Sequence, residues 1–332
     1  MTTAMAASVQ PEKILKDLGS LWADLGKQEE NGVLRACAMT FIVTVDESQD
    51  AFSVGETIAA IMHDHPSRAI VVRVSQGDEP SLDARVLAQC WMPFGRNQQI
   101  CCEQIEISSS LGSLCDVPGV IRGLIVPDLP VVLYCRNFQL SQTPQFQALL
   151  PLAGKLVIDS GSARLEPLTY LASLPQAGCR KADLTWSRLT RWRESIAQIF
   201  ENPSHLQGAA ALDEIEVRYS GEMEPVAAYY LAAWFQLILG TDVKLVRSIG
   251  PSFAAIAGVT FRGPGFEAAV EMMDESSEET RVNGIRQRVV FPEMRECDLL
   301  REELSIMSHD PIFEAVLSLA NSIREKTWRE KT

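Results

Sequence analysis

The chain has 332 residues, 46% hydrophobic and 22% charged, a composition that excludes a disordered chain and leaves room for two folded domains. Its formal net charge of −13 makes nucleic acid and anionic membrane surfaces poor partners, because both would repel it. No run approaches the roughly 18 apolar residues of a membrane span, and residues 1–10 do not resemble a secretory signal, so we expect a cytoplasmic protein.

The first half alternates helical and extended patterns. In chain order, the predicted elements are a helix at 11–27, a strand at 40–45, a helix at 54–63, strands at 69–74, 85–91 and 103–108, a helix at 111–125, a strand at 129–134, a helix at 146–152 and a strand at 155–159. This alternation favours a layered, mainly parallel α/β sheet of Rossmann-like type. The G-x-G-x-x-G fingerprint of dinucleotide binding does not follow the first strand.

The second half has a different pattern. The predicted elements are a helix at 183–200, a loop from residue 203, a strand at 215–219, a helix at 225–239, strands at 243–246, 253–261, 266–272 and 284–291, and helices at 298–307 and 311–326. Consecutive strands with short turns predict an antiparallel sheet in an α+β domain. We therefore divide the chain into a lead-in at 1–34, an α/β domain at 35–175 and an α+β domain at 176–332.

Motifs of common catalytic chemistry are absent from the sequence. There is no phosphate-binding loop, no H-E-x-x-H and no G-x-S-x-G. His63 and His65 lie at the predicted end of a helix, where the helix dipole favours histidine, and no further metal ligands accompany them. We therefore expect no enzyme activity, no catalytic residues, no metal site and no cofactor.

The eight cysteines contain no C-x-x-C pair. The usual zinc and thioredoxin-like spacings are therefore missing. We expect buried or half-buried free thiols in a reducing compartment, with regulatory thiols as the alternative.

Polar residues follow two predicted strands of the first half. Arg136 comes after the strand at 129–134, and Asp159 and Ser160 come at the end of the strand at 155–159. Because ligands of open α/β sheets bind at the carboxyl ends of strands, these residues predict a possible phosphate or sugar site. The alternative is that Asp159 and Ser160 cap a helix starting near residue 165 or shape the turn before it.

Residues 183–193, DLTWSRLTRWR, concentrate tryptophan and arginine in an acidic chain. Both residue types are enriched at interface hot spots. The candidate partner-binding residues are Trp186, Arg188, Arg191, Trp192 and Arg193. The alternative is packing between domains, with the arginines paired to the chain's own acids. Buried tryptophans would leave the arginines for a partner to meet.

The same stretch resembles the signature helix of the OpcA family of glucose-6-phosphate dehydrogenase assembly proteins. Matching segments occur in the same order elsewhere, and the resemblance covers residues 35–326. These segments are HPSRAIVV at 65–72, DLPVVL at 128–133, LVIDS at 156–160 and the run at 299–313 that ends in DPIF.

This resemblance implies a non-catalytic protein that binds glucose-6-phosphate dehydrogenase and favours its active oligomer in the oxidative pentose phosphate pathway. It also implies redox control in some members, although none of the cysteines here matches a regulatory pair. Two alternatives stay open. One is an enzyme or sensor that binds a sugar phosphate through Arg136 and Asp159, and the other is a self-associating structural protein.

Overall fold

The structure is a computed structural model that describes residues 9–28, 33–47, 53–77, 79–92, 99–161, 166–175, 178–209, 211–249 and 253–331. The chain divides into two compact units, each built from separate segments. The first unit comprises Met1–Asp159, Pro175–Ala182 and Glu296–Met307, and the second comprises Ser160–Leu174, Asp183–Arg295 and Ser308–Thr332. Three segments thus differ from the contiguous predicted domains: 160–174 belongs to the second unit, whereas 176–182 and 296–307 belong to the first.

The helices in the described residues are α1 (Pro11–Gln28), α2 (Ser53–Met62), α3 (Val117–Leu124), α4 (Phe138–Ser141), α5 (Pro144–Gln147), α6 (Glu166–Ser173), α7 (Leu184–Arg188), α8 (Thr190–Phe200), α9 (Pro203–Ala209), α10 (Val226–Leu239), α11 (Glu296–Ser305) and α12 (Pro311–Lys331). Short 3-10 turns occur at Leu111–Ser113 and Leu150–Leu152.

The strands are β1 (Val33–Arg35), β2 (Met39–Asp46), β3 (Ser67–Ser75), β4 (Leu82–Trp91), β5 (Gln99–Ser110), β6 (Val131–Cys135), β7 (Lys155–Ile158), β8 (Arg180–Asp183), β9 (Glu214–Tyr219), β10 (Val243–Arg247), β11 (Ile256–Gly263), β12 (Phe266–Asp274), β13 (Ser277–Val282) and β14 (Ile285–Val290).

The first unit contains a mainly parallel sheet, as predicted. Its order is β1-β5-β3-β2-β6-β7-β8, and β4 joins β5 as the antiparallel member. The pairs along β5-β3-β2-β6-β7 are parallel. All eight residues of β2 are buried, as expected for a parallel strand covered on both faces. The Rossmann-like α/β class is confirmed.

Helix α11 belongs to the first unit although it is separated from most of that unit in sequence. It packs against α2, and Lys155 of β7 forms hydrogen bonds at its carboxyl-terminal end. The buried Lys155 ammonium donates to the carbonyl of Glu303 at 2.6 Å, its carboxylate at 2.9 Å and the carbonyl of Ile306 at 2.9 Å. All three ammonium protons therefore have acceptors, which makes burial of this charge tolerable.

The second unit contains a six-stranded sheet in the order β10-β9-β11-β12-β13-β14. Its pairs are antiparallel except for β9 with β10, which is parallel, so the predicted antiparallel sheet is present with one parallel edge. A two-residue turn joins β13 to β14. Asn283 (φ 48°) and Gly284 (φ 87°) both adopt the left-handed conformation that such turns require.

Several predicted boundaries are wrong for local reasons. The helix expected at 183–200 is broken at Leu189, where the backbone turn separates α7 from α8. The helix expected at 111–125 begins only at Val117, after a 3-10 turn, and the loop expected from residue 203 forms α9. The polar strand β13, SEETRV, was not predicted because it lacks an apolar alternation. The expected helix start near residue 165 lies outside the described residues.

Candidate functional site

Arg136 lies at the carboxyl end of β6 in the first unit, where its guanidinium binds Glu296 at the start of α11. Its Nε and Nη2 donate to the two carboxylate oxygens of Glu296, each at 2.8 Å. Tyr134 also donates its hydroxyl to Glu296 at 2.6 Å, and Thr57 of α2 donates at 3.4 Å. The carboxylate of Glu296 therefore occupies the face of Arg136 that a phosphate would use.

Burial, followed by the nearby Glu296 and Asp159 carboxylates, raises the pKa of Tyr134 well above its ordinary value. Asp159 is thus close enough to Tyr134 to act on its ionisation. The tyrosine stays protonated and acts as a hydrogen-bond donor at neutral pH. Sequence reasoning missed Glu296 because it is 160 residues from Arg136, and no local pattern reports such a pair.

Ser160 belongs to the second unit, where its polar groups form hydrogen bonds with residues at the start of α7. Its backbone N–H donates to Asp183 Oδ1 at 3.1 Å, and its hydroxyl donates to Thr185 Oγ1 at 2.7 Å. Ser160 is 1% exposed. The predicted ligand residues are therefore divided between the two units: Arg136 and Asp159 lie in the first and Ser160 in the second.

Each histidine contacts another part of the chain. The His63 ring stacks on Trp91 with 4.8 Å between centroids, and His65 Nε2 lies 3.1 Å from the Arg301 carbonyl. His205 Nδ1 lies 2.8 Å from the Ile199 carbonyl, and His309 lies 2.9 Å from Glu314. Within the described ranges, no group of three or more His, Cys, Asp or Glu side chains could hold a metal ion.

The expectation of free thiols is wrong for Cys90 and Cys101, which form a disulfide between β4 and β5. They lie directly opposite each other in the antiparallel register, a relation that their spacing in sequence does not reveal. Buried Cys102 and Cys135 are free thiols. Burial raises the pKa of Cys102 to about 11 and that of Cys135 to about 12, so both remain unreactive thiols at neutral pH.

A cavity of about 400 Å³ in the first unit is lined by charged residues of β3, β4 and β5. Glu106 is one of three acids in its lining, and it accepts hydrogen bonds from two nitrogens of Arg85, while Arg73 lies 3.6 Å away. Burial raises the pKa of Glu106 and the Arg85 hydrogen bonds lower it, with a net downward shift. Glu106, Arg85 and Arg73 thus form ion pairs with one another across three neighbouring strands.

Asp183 starts the Trp/Arg-rich segment of the second unit and is fully buried. Its Oδ1 accepts from the N–H groups of Thr185 (3.0 Å) and Ser160 (3.1 Å), and the first of these contacts caps α7. Its Oδ2 accepts from the Tyr230 hydroxyl of α10 at 2.8 Å. Burial and the Asp183 carboxylate raise the pKa of Tyr230 well above its ordinary value, so this donor keeps its proton.

The two tryptophans of this segment are buried within the second unit. Trp186 is 5% exposed and packs against the rings of Tyr230 and Phe313, and Trp192 is 4% exposed and packs edge-on against Phe291. Arg193 lies 3.6 Å over the Trp186 ring. These contacts tie α7 and α8 to the rest of the unit through aromatic packing and one cation–π interaction.

The three arginines of the segment have different surroundings. Arg193 donates to the Trp186 carbonyl at 3.4 Å and the Thr190 hydroxyl at 2.9 Å. Arg188 is half-buried and also has interactions within the protein. Arg191 is half-buried, and its Nε is a buried donor with no hydrogen-bond partner among the described residues. This nitrogen is out of contact with solvent, so a contact between Arg191 and another molecule would use the terminal nitrogens of its guanidinium.

Glu278 of β13 is a buried carboxylate with one hydrogen bond. Its Oε1 accepts from Ser195 of α8 at 2.5 Å, while its Oε2 has no partner among the described residues. Burial raises the pKa of Glu278 from its usual 4.5, against the smaller lowering effect of Ser195. Folding therefore favours the protonated acid.

We expect Glu278→Gln to stabilise the protein at pH 8 by about 1 kcal/mol, because it removes a buried charge with an unmatched acceptor. In the wild type, the stability that Glu278 contributes is fully present below pH 4.5 and is lost as the pH rises through its raised pKa in the folded state. The gain in stability of Glu278→Gln over the wild type should therefore vanish at acid pH. Urea unfolding at pH 4 and pH 8 measures this, and an equal effect at both values would contradict it.

The geometry describes a protein of two units, one with a Rossmann-like parallel sheet and one with a mixed sheet, in which the predicted strand-end groups bind other parts of the chain. Residues 58–176 match the family described as glucose-6-phosphate dehydrogenase subunit N-terminal domain, and residues 179–317 match the corresponding C-terminal domain. The chain belongs to this family, OpcA.

Two OpcA proteins, which are assigned by name to the OxPP cycle, are similar to part of the chain. The protein from Synechocystis sp. is 30% identical over 186 residues, or 54% of this chain and 38% of that protein. The protein from Nostoc punctiforme is 27% identical over 176 residues, or 51% of this chain and 37% of that protein. The matched region thus spans less than two-fifths of these relatives.

Solved structures with similar arrangements include a super-repressor mutant of Gal80p from Saccharomyces cerevisiae, with a TM-score of 0.48, 9% identity and coverage of 90% of this chain and 97% of that one. A dehydrogenase from Clostridium difficile has a TM-score of 0.43, 8% identity and coverage of 88% and 99%. No helix in the described part of the chain is long and apolar enough to cross a membrane.

Proposed function

We propose that this chain is a non-catalytic, cytoplasmic partner of glucose-6-phosphate dehydrogenase that favours the active oligomer of the enzyme. The observation that carries the proposal is that both halves of the chain match domains described as subunits of that dehydrogenase. The bidentate pairing of Arg136 with Glu296 supports it against the sugar-phosphate hypothesis, because the anion-binding face of the arginine is already occupied.

The mechanism follows from linkage. A protein that binds one oligomer of its partner more tightly than the other forms shifts the equilibrium toward that oligomer, by no more than the difference in affinity. No residue of this chain then needs to contact the substrate. The dehydrogenase should show a lower apparent KM or a higher activity when the chain is present.

The test mixes the chain with purified dehydrogenase from the same source, followed by size-exclusion chromatography and activity assays. We expect co-elution and altered kinetics. Absence of both at micromolar protein would refute the proposal. Thermal stabilisation of the chain by a sugar phosphate alone, lost in Arg136→Ala, would instead support the ligand-binding alternative.

Arg191 is the residue of the central segment that we propose contacts the dehydrogenase. We expect Arg191→Ala to weaken binding about tenfold, the scale of an interface arginine that loses a charged partner, and to leave the melting temperature unchanged. Calorimetric titration and thermal unfolding measure the two effects.

Arg193→Ala is the matched control, because it removes a neighbouring arginine that stacks on Trp186. It should lower the free energy of unfolding by about 1–2 kcal/mol through lost cation–π and hydrogen-bond interactions. If Arg191→Ala destabilises the protein as much as Arg193→Ala, or binds like the wild type, Arg191 is not the contact.

A further inference from the structure

Strand β14 forms an outer edge of the second unit's sheet, since it pairs with β13 alone in the described part of the chain. All six of its residues are exposed, including Ile285 at 78%, Val289 at 41% and Val290 at 76%. Proteins commonly protect such an edge with charged side chains, a proline, a bulge or a covering segment. The sequence IRQRVV contains two arginines but no proline, and its register with β13 has no bulge, so charge is the one such device in this strand.

The outer backbone groups of β14 can be assigned from its ladder with β13. The N–H of Phe291, directly after the strand, donates to the Ser276 carbonyl on the β13 side at 2.6 Å. Because backbone groups alternate along a strand, the N–H and C=O groups of Arg286, Arg288 and Val290 point away from β13. They form a row that an additional strand can pair with.

The side chains of β14 indicate which side chains a strand added at this edge should have. Arg286, Arg288 and Val290 lie on one face of the sheet, and Ile285, Gln287 and Val289 lie on the other. The strand has no acidic residue in a chain of net charge −13. An added strand with acidic side chains beside the arginines and apolar side chains on the opposite face would complement both patterns.

A second copy of the chain fits this edge poorly. If two copies of β14 paired antiparallel with the same face of each strand on the same side, two registers would overlap the strands most fully. One places Arg286 opposite Arg288, and the other places Arg288 opposite Arg288. Like charges directly opposite in a ladder are destabilising, so the charge pattern favours a different, acidic strand.

We infer that β14 is a docking edge for an extended segment of the partner dehydrogenase in which acidic and apolar residues alternate. The inference rests on the proposed function, which supplies the partner. Main-chain hydrogen bonds to the outer row provide affinity, and the arginine and apolar faces provide register and selectivity. Trp192 packs against Phe291, so α8, which carries Arg191, lies beside the end of this strand.

The test is the affinity of purified dehydrogenase for Val290→Pro, with Val290→Ala as the matched control. Proline removes an outward N–H and obstructs the edge without removing a hydrogen bond to β13. We expect about tenfold weaker binding for the proline variant, near wild-type binding for the alanine variant and native circular dichroism for both. Wild-type affinity in a folded Val290→Pro protein would overturn the inference.

Arg286→Glu provides a second, independent variant should the proline variant fail to fold. The Arg286 side chain is 65% exposed, and its Nε lies 3.8 Å from Glu279, near the outer limit of an ion pair. Solvent screens charges at this site, so the change should cost at most about 1 kcal/mol of stability. We expect about tenfold weaker binding, and unchanged binding would overturn the inference. Failure of the wild-type chain to bind refutes the proposed function itself. A wild-type dimer in light scattering that Val290→Pro dissociates would assign the edge to a second copy and overturn the inference.

Discussion

Glu103→Ala should lower the free energy of unfolding by about 3–5 kcal/mol, because it leaves a buried guanidinium without its counter-charge. Glu103 accepts from Arg68 Nε at 2.6 Å, Arg35 Nη2 at 2.7 Å and Trp22 Nε1 at 2.8 Å. The Glu103 and Arg68 side chains are 3% and 9% exposed. One carboxylate of β5 thus joins α1, β1 and β3 in the first unit.

Arg35→Ala is the control for this prediction, because Arg35 contacts the same carboxylate from a side chain that is 49% exposed. Solvent screens this contact, so the loss should stay at or below about 1 kcal/mol. Urea denaturation of both variants with far-ultraviolet circular dichroism gives the comparison. Equal losses in the two variants would show that the buried Arg68 pair is not what makes Glu103 important.

Asp183→Ala should destabilise the second unit by about 3 kcal/mol or more. Its carboxylate is the acceptor for two backbone N–H groups and the Tyr230 hydroxyl, and these buried donors would each lose a partner. Asp183→Asn retains one carbonyl oxygen for the two N–H groups and should lose less. Comparing the two variants separates the effect of losing the hydrogen-bond acceptor of Asp183 from the effect of losing its charge.

Tyr230→Phe tests the Asp183 cluster from the opposite side. It removes one donor and no cap, so a loss of about 1–2 kcal/mol is expected. Thermal unfolding followed by tryptophan fluorescence is suitable, because Trp186 packs against Tyr230. An Asp183→Ala effect no larger than that of Tyr230→Phe would contradict the role of Asp183 as a shared acceptor.

The parallel sheet of the first unit was predictable because its strands are nearly continuous apolar runs. Buried runs such as β2 and β3 can only lie where both faces of a sheet are covered. Helix α10 was predictable for the same reason, since nine of its residues are buried. By contrast, the apolar residues Trp186, Leu189 and Trp192 keep a helical spacing across the break at Leu189. Periodicity alone therefore predicts one long helix there.

The polar contacts could not be predicted, because they join residues far apart in sequence. Arg136 and Asp159 stand at strand ends in a pattern that suggests a ligand, but the partner of Arg136 is Glu296 from a distant helix. Cys90 and Cys101 meet only because of the register between β4 and β5. The Trp/Arg composition of 183–193 suggested a surface, whereas both tryptophans are core residues of the second unit.

The interleaving of the two units has a consequence for biosynthesis. Glu296–Met307 completes the first unit, yet the ribosome makes it after Ser160–Leu174 and Asp183–Arg295 of the second. Until then Lys155 lacks its three acceptors and Arg136 lacks Glu296. During synthesis the first unit therefore stays incomplete until Glu296–Met307 has emerged, although every other segment of that unit precedes Asp183–Arg295 in the chain.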